Sequence, residues 1–143
     1  MTSFFPTRFW AALHDQPGNS GDIRIFVVYH DPELNDRVPD SLALSKGLLA
    51  LVHAYAGKPY AGTNNFVITH ELLHTLGATD KYDPADNSPL YPTGYANPFV
   101  THRYPQTKAE IMGGRIPLDE ELAFIPDSLS QAVIGSHTAV EIN

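Results

Sequence analysis

The sequence has 143 residues, enough for one domain with a buried core, and 43% of them are hydrophobic while 17% are charged. This composition is typical of a folded globular protein and excludes an intrinsically disordered chain. The formal net charge of -7 argues against nucleic acid as a partner, because phosphates require a basic surface. The chain has no cysteine, so disulfides are excluded and any metal site must use His, Asp or Glu side chains.

The N-terminal segment is the part of the chain where a targeting signal would lie. Its apolar run is interrupted by Pro6, Arg8 and His14, so we predict no signal peptide. No run of about 18 uninterrupted apolar residues occurs, which predicts that this chain has no transmembrane segment. We therefore expect a single soluble domain over residues 1–143. Its compartment stays open, as does the presence of a membrane segment or pro-segment in a longer parent protein.

Three segments in the first part of the chain have contrasting patterns. Gly21–Pro32 is rich in β-branched and aromatic residues between a glycine and a proline, which predicts a strand. Residues 31–44 are interrupted by two prolines and are predicted to be a connector. Gly47–Gly57 carries a short apolar run between glycines, a pattern compatible with a strand or a helix, and we favour a strand.

The middle of the chain is predicted to hold one helix and one long loop. Asn65–Gly77 is predicted to be the helix, with Asn64 or Asn65 as its N-cap and Gly77 as its end. Thr79–Lys108 contains five prolines and no periodic pattern, which predicts an irregular segment. Loops of this length in compact domains are usually functional or disordered.

The last third of the chain is predicted to contain a turn and a C-terminal helix. The paired glycines in the sequence AEIMGGRIPL break any regular element and predict the turn. The helix is predicted over residues 127–136, where Ser128 and Gln131 have the spacing of a capping box.

The candidate chemistry is concentrated in the sequence HELLHTLGATD, residues 70–80. Side chains four residues apart on a helix lie about 5–6 Å from each other, so His70 and His74 can bind one ion. Glu71 lies beside the first histidine but points to one flank, which suits a general base better than a metal ligand. An apolar face opposite the histidines is predicted to pack on the core and consists of Ile68, Leu72 and Leu76.

A third ligand is predicted just after this helix. Gly77 can adopt a positive φ and turn the chain, which allows Asp80 to return to the ion. Three protein ligands and one open position are typical of a catalytic zinc. His102 or Glu110 in place of Asp80, a structural zinc, and a helix that binds no metal stay open as alternatives. The other histidines have no partner at ligand spacing and are interpreted as surface or satisfied side chains: His14, His30, His53 and His137.

HELLHTLGATD resembles the zinc-binding consensus H-E-x-x-H-x-x-G-x-x-H/D of metzincin metallopeptidases, in the variant with aspartate that the snapalysin-like proteases carry. The motif matches position by position at His70, Glu71, His74, Gly77 and Asp80. The sequence EIMGG more loosely resembles the Met-turn, which lies beneath the metal in that family, and Met112 is its methionine. The resemblance implies an α+β, zincin-like domain with a small twisted mixed sheet, an active-site helix and a C-terminal helix. It also implies an antiparallel edge strand at Gly47–Gly57 that holds extended substrate.

The resemblance implies hydrolysis of peptide bonds in a peptide or protein substrate. Zn²⁺ on His70, His74 and Asp80 would activate a water molecule, and Glu71 would take the proton and pass it to the leaving amine. The candidates for stabilising the oxyanion beside the metal are Tyr82, Tyr91, Tyr95, Tyr104, His102 and Arg115. A zincin-derived peptide-binding module without turnover, and a zinc amidohydrolase that acts on a small amide, stay open as alternatives.

Overall fold

The computed structural model describes residues 23–44 and 48–143, and a three-stranded sheet forms one side of the described part. Strand β1 (Arg24–His30) pairs in parallel with β3 (Leu49–Tyr55), and β2 (Leu42–Leu44) pairs antiparallel with the other side of β3. β1 and β3 confirm the two predicted strands over the residues that the structure describes. His14 and the N-terminal segment predicted to lack a targeting signal lie outside the described residues, as do Gly21 and Gly47.

The prediction that Gly47–Gly57 forms the edge strand is wrong. β3 is the central strand of this sheet, and the antiparallel edge is β2, which lies in the segment predicted to be a connector. Five of the seven β3 residues are buried, at consecutive as well as alternate positions. A strand covered on both faces has a continuous apolar run instead of an alternating one, which is why its pattern was ambiguous between strand and helix.

Helix α1 (Ala61–Thr75) begins four residues earlier than predicted. A 3₁₀ turn at Lys58–Tyr60 leads into it, so both predicted N-caps, Asn64 and Asn65, lie inside the helix, and neither is the cap. The Asn64 amide instead donates to the Tyr55 carbonyl at 2.7 Å and accepts from the Tyr55 N–H at 3.3 Å. Asn64 thus connects the first turn of α1 to the end of β3, nine residues earlier, instead of capping the helix.

The buried face of α1 is the one that carries the histidines. Phe66 and Leu73 enter the main core cluster, and His70 is only 8% exposed. Ile68 and Leu72 are half-buried, while Leu76 is 41% exposed, so the prediction that these three residues form the core face is wrong. The cause is tertiary, because residues 109–116 pack on the histidine side of α1.

Four short strands follow the irregular segment: β4 (Ala109–Glu110), β5 (Ile116–Pro117), β6 (Ala123–Phe124) and β7 (Ala132–Val133). β4 pairs in parallel with β7, and β5 pairs antiparallel with β6. Residues 79–108 contain no helix and no paired strand beyond isolated bridges, which confirms the predicted irregular segment. The turn between β4 and β5 is confirmed as well, and it carries the fully buried Met112 into the core cluster.

The predicted C-terminal helix exists, but its position in the chain was predicted wrongly. Helix α2 spans Ser136–Glu141, whereas residues 127–136 hold a 3₁₀ turn at Leu129–Gln131 and then β7. The Gln131 side chain accepts from the Asp127 N–H at 2.8 Å, so no capping box forms. Pairing of β7 with β4 overrides the weak local helix signal.

Small sheets and two helices in the described residues confirm the α+β class and the mixed sheet. Within that part of the chain, no helix combines the length and apolar character that crossing a bilayer requires.

Candidate metal centre

Three side chains from α1 and the loop after it converge on one point. The Nε2 atoms of His70 and His74 lie 3.1 Å apart, and the Asp80 Oδ1 atom lies 3.1 Å from the first and 2.9 Å from the second. A tetrahedral zinc site with bonds of about 2.0–2.2 Å has ligand atoms roughly 3.3–3.6 Å apart, so these three atoms need to spread by only a few tenths of an ångström to bind such an ion. The predicted convergence is confirmed, and the three side chains are positioned to bind a metal ion.

The backbone sets the orientation of both imidazoles. The His70 Nδ1–H donates to the Ile111 carbonyl at 2.8 Å, and the His74 Nδ1–H donates to the Ala78 carbonyl at 2.8 Å. A carbonyl can only accept, so each neutral ring carries its proton on Nδ1 and exposes a lone pair at Nε2. Partners of this kind orient the histidines of metal sites and select the tautomer that binds.

Three lone-pair atoms therefore face each other with no hydrogen between them while both rings are neutral. Such a cluster requires a cation at its centre, either a proton or a metal ion. Burial lowers the pKa of His74, but its hydrogen bonds with Asp80 and Ala78 outweigh burial and raise that pKa above its ordinary value. Burial likewise raises the pKa of Asp80, yet the hydrogen bonds that His70 and His74 donate when protonated at Nε2 dominate and hold that pKa well below its usual range.

The alternative third ligands do not reach this point. In the described residues the candidate ligand group contains His70, His74 and Asp80 and no fourth His, Cys, Asp or Glu side chain. His102 is exposed and lies outside the group. Glu110 is fully buried, and its carboxylate already accepts four hydrogen bonds from other groups.

Glu110 organises the turn that supports the centre. One carboxylate oxygen accepts from the N–H groups of Met112 at 2.7 Å and Gly113 at 2.9 Å, and the other accepts from the Gly135 N–H at 3.0 Å and the Thr138 hydroxyl at 2.7 Å. These bonds join the turn after β4 to the start of α2. The same turn supplies the carbonyl that orients His70. Glu110 therefore supports the turn instead of binding the metal as an alternative third ligand, a role for which the sequence holds no local signal.

Glu71 lies beside the ligand cluster at the wall of a cleft of about 560 Å³. The residue is 8% exposed, and burial raises the pKa of its carboxyl group despite the opposing charges of His70 and His74. A carboxylate with a raised pKa is a better proton acceptor than an exposed one. Glu71 is outside the candidate ligand group, in keeping with its predicted position on the flank of the helix.

Two of the six candidate oxyanion stabilisers, Tyr82 and Arg115, line this cleft. Burial, with the charge of Asp80 adding to it, raises the pKa of Tyr82 to about 12, so its hydroxyl stays protonated and can donate. The other four do not line the cleft: Tyr91, Tyr95, Tyr104 and His102. Three of them pack the irregular segment, where the hydroxyls of Tyr95 and Tyr104 are 2.9 Å apart and Arg103 stacks over Tyr91.

One wall of the cleft consists of residues that no motif in the sequence singles out. Residues 36–41, which belong to the predicted connector, line it together with His53. The sequence predicts His53 to be a surface or satisfied histidine, and in the structure its Nδ1 lies 2.8 Å from the Nε2 of His30 on the neighbouring strand. Burial and the nearby charge of His30 lower the pKa of His53. The two histidines are 23 positions apart, so only the pairing of β1 with β3 brings them together.

Gly77 ends α1 and directs the chain toward Asp80. Its φ is +105°, the N–H of Gly77 donates to His74, and the N–H of Ala78 donates to Leu73. This is the hydrogen-bond pattern of a Schellman motif, which favours glycine at the position of positive φ. The predicted turn is thus confirmed, and it places the Ala78 carbonyl where it orients His74.

Replacement of Gly77 by alanine is expected to lower the free energy of unfolding by about 1–2 kcal/mol, because an L side chain is strained at positive φ. The added Cβ would also lie 3.3 Å from the Glu141 carbonyl oxygen. Gly77→Asn is expected to cost less, since asparagine tolerates left-handed backbone better than alanine. Urea denaturation of the metal-free protein measures both effects, and equal stability of wild type and Gly77→Ala would contradict the strained turn.

Comparison of the chain with models of protein families, with curated proteins and with solved structures finds no significant match. A function for this protein is therefore argued from the geometry of the centre itself.

Proposed function

We propose that this protein is a zinc-dependent metallopeptidase with a metzincin-type centre, in which His70, His74 and Asp80 hold the metal. The observation that supports this most directly is the set of three lone-pair atoms about 3 Å apart, with both ring tautomers set by backbone carbonyls. Two neutral imidazoles and one carboxylate are a donor set that suits zinc. Bound zinc would supply the Lewis acidity that polarises a peptide carbonyl and lowers the pKa of water.

Glu71 is the general base in this proposal. Its carboxylate accepts a proton from the attacking water and passes that proton to the amine that leaves. The partly buried wall of the cleft and the raised pKa of Glu71 support this role. Tyr82, whose hydroxyl stays protonated, donates a hydrogen bond to the oxygen on which negative charge develops.

The peptide binds along β2 in an extended conformation. Among the described residues, β2 is the antiparallel edge strand of the larger sheet, and residues 36–41, which lead into it, line the cleft beside Glu71. Leu42 and Leu44 of this strand are about half exposed, at 47% and 50%. An exposed strand edge offers main-chain donors and acceptors to an added strand and does not depend on the side chains of the peptide.

Metal analysis and a peptide library test the proposal together. The purified protein is expected to carry about one zinc per chain at neutral pH and to cleave peptides, with cleavage sites read by mass spectrometry. Removal of zinc with a chelator is expected to stop cleavage, and zinc added back is expected to restore it. Absence of bound metal would contradict the ligand set. Zinc without any cleavage would contradict the peptidase and favour a peptide-binding module.

A further inference from the structure

Glu141, in the last turn of α2, binds the two residues that flank Asp80. One of its carboxylate oxygens accepts from the Thr79 hydroxyl at 2.7 Å. The other accepts from the Thr79 N–H at 3.0 Å and from the Lys81 Nζ at 2.7 Å. A single carboxylate at the far end of the chain thus holds the loop on both sides of the third candidate ligand.

Lys81 is the second half of this contact. Its side chain is 5% exposed, and its ammonium group also donates to the Thr79 carbonyl at 2.9 Å. A buried ammonium group is costly unless it is paired, so Lys81 requires the Glu141 carboxylate. The Lys81 N–H donates to the Met112 carbonyl at 2.9 Å, which attaches the loop to the turn after β4 on its other side.

The hydrogen bonds of this contact also change the pKa of Glu141. Burial raises the pKa of Glu141, but hydrogen bonds from Lys81 and Thr79 outweigh burial and lower it to about 2. The end of α2 also lies against the turn that begins this loop, since the Glu141 carbonyl oxygen is 3.3 Å from the position of a Cβ on Gly77. The loop that carries Asp80 is therefore enclosed between α2 and the turn that contains Met112.

We propose that Glu141 is a positioning residue for the metal centre, which acts through Thr79 and Lys81 to hold the Asp80 carboxylate against His70 and His74. The inference rests on the metal-binding role proposed above for these three side chains. Asp80 is 43% exposed at its side chain, so packing on the carboxylate itself does not fully hold it in place. Residues that orient metal ligands typically change metal affinity by about 10-fold to 100-fold when they are replaced.

Zinc affinity of the full-length chain tests this role. Glu141→Gln is expected to weaken zinc binding by about 10-fold to 100-fold, as measured by competition with a chromophoric chelator. Glu121→Gln is the matched control, because it makes the same chemical change at an exposed glutamate far from the centre in sequence, and it is expected to leave zinc affinity unchanged. The absorption spectrum of the Co²⁺-loaded protein is expected to change in Glu141→Gln, since it reports the geometry of the ligands.

A second variant separates positioning from stability, because Glu141→Gln leaves the Lys81 ammonium group without a carboxylate. Lys81→Met combined with Glu141→Leu removes both charges and keeps apolar volume, a change that often preserves folding. Circular dichroism should show this protein folded, and its zinc affinity is still expected to be weakened. Equal zinc affinity and Co²⁺ spectrum in wild type and both variants would overturn the inference alone. Failure of wild type to bind zinc would overturn the proposed function and this inference with it.

Discussion

Glu71→Gln is expected to lower kcat for peptide hydrolysis by about 100-fold to 10,000-fold, the range that a positioned general base contributes. Glutamine keeps the size and hydrogen-bonding shape of the side chain but cannot accept the proton of the attacking water. The residue lies outside the candidate ligand group, so zinc content is expected to stay near one per chain. Steady-state kinetics on a cleaved library peptide and metal analysis of the same sample measure the two quantities.

Two comparisons make the Glu71 experiment decisive. Glu121→Gln carries the same change at an exposed site and is expected to retain wild-type kcat. A loss of zinc in Glu71→Gln would mean that Glu71 is a ligand, contrary to its predicted role. Retained activity with full zinc content would remove Glu71 from the mechanism.

Asp80→Ala is expected to weaken zinc binding by more than about 100-fold, beyond the range of changes to residues that only orient ligands. The variant loses the one anionic ligand of the set and leaves two imidazoles, which cannot complete a three-ligand site. It also removes the hydrogen bond that raises the pKa of His74, so a proton competes less well for the remaining lone pairs. This second effect favours metal binding, but we expect the loss of the anionic ligand to outweigh it. Chelator competition at neutral pH measures it.

The matched control for Asp80 is Asp127→Ala, at an exposed aspartate outside the candidate ligand group. Its zinc affinity is expected to equal that of wild type. If Asp80→Ala binds zinc as tightly as wild type, another residue completes the site. Glu110 would then be a poor replacement, because four hydrogen bonds already occupy its carboxylate.

The ligands could be predicted because they are local in sequence. His70, His74, Gly77 and Asp80 lie within eleven positions, and helix geometry together with a glycine turn sets their relative placement. The strand at β1 was also predictable, since it is a continuous run of strand-forming residues, whereas the apolar run at β3 was compatible with a strand or a helix. In these cases neighbouring residues alone carry the structural information.

Predictions failed where a distant partner decides the structure. Residues 132–133 form a strand instead of a helix because β4, which lies 23 positions earlier in the chain, pairs with them. The central position of β3 follows from its two partners and not from its own residues. Hydrogen bonds between segments that are far apart in the chain leave no periodic pattern in the sequence.

The sequence by itself determined the identity of the three candidate ligands, the nearby glutamate and the turn at Gly77. Only the tertiary structure decided which way they face: the Ile111 carbonyl selects the tautomer of His70, and Glu110 holds the turn that supplies this carbonyl. It also brought Glu141 to the loop of Asp80 and placed residues 36–41 at the cleft. The physical reason is that helix geometry depends on neighbours in the chain, whereas the orientation of a buried polar group depends on whichever donor or acceptor folding brings to it.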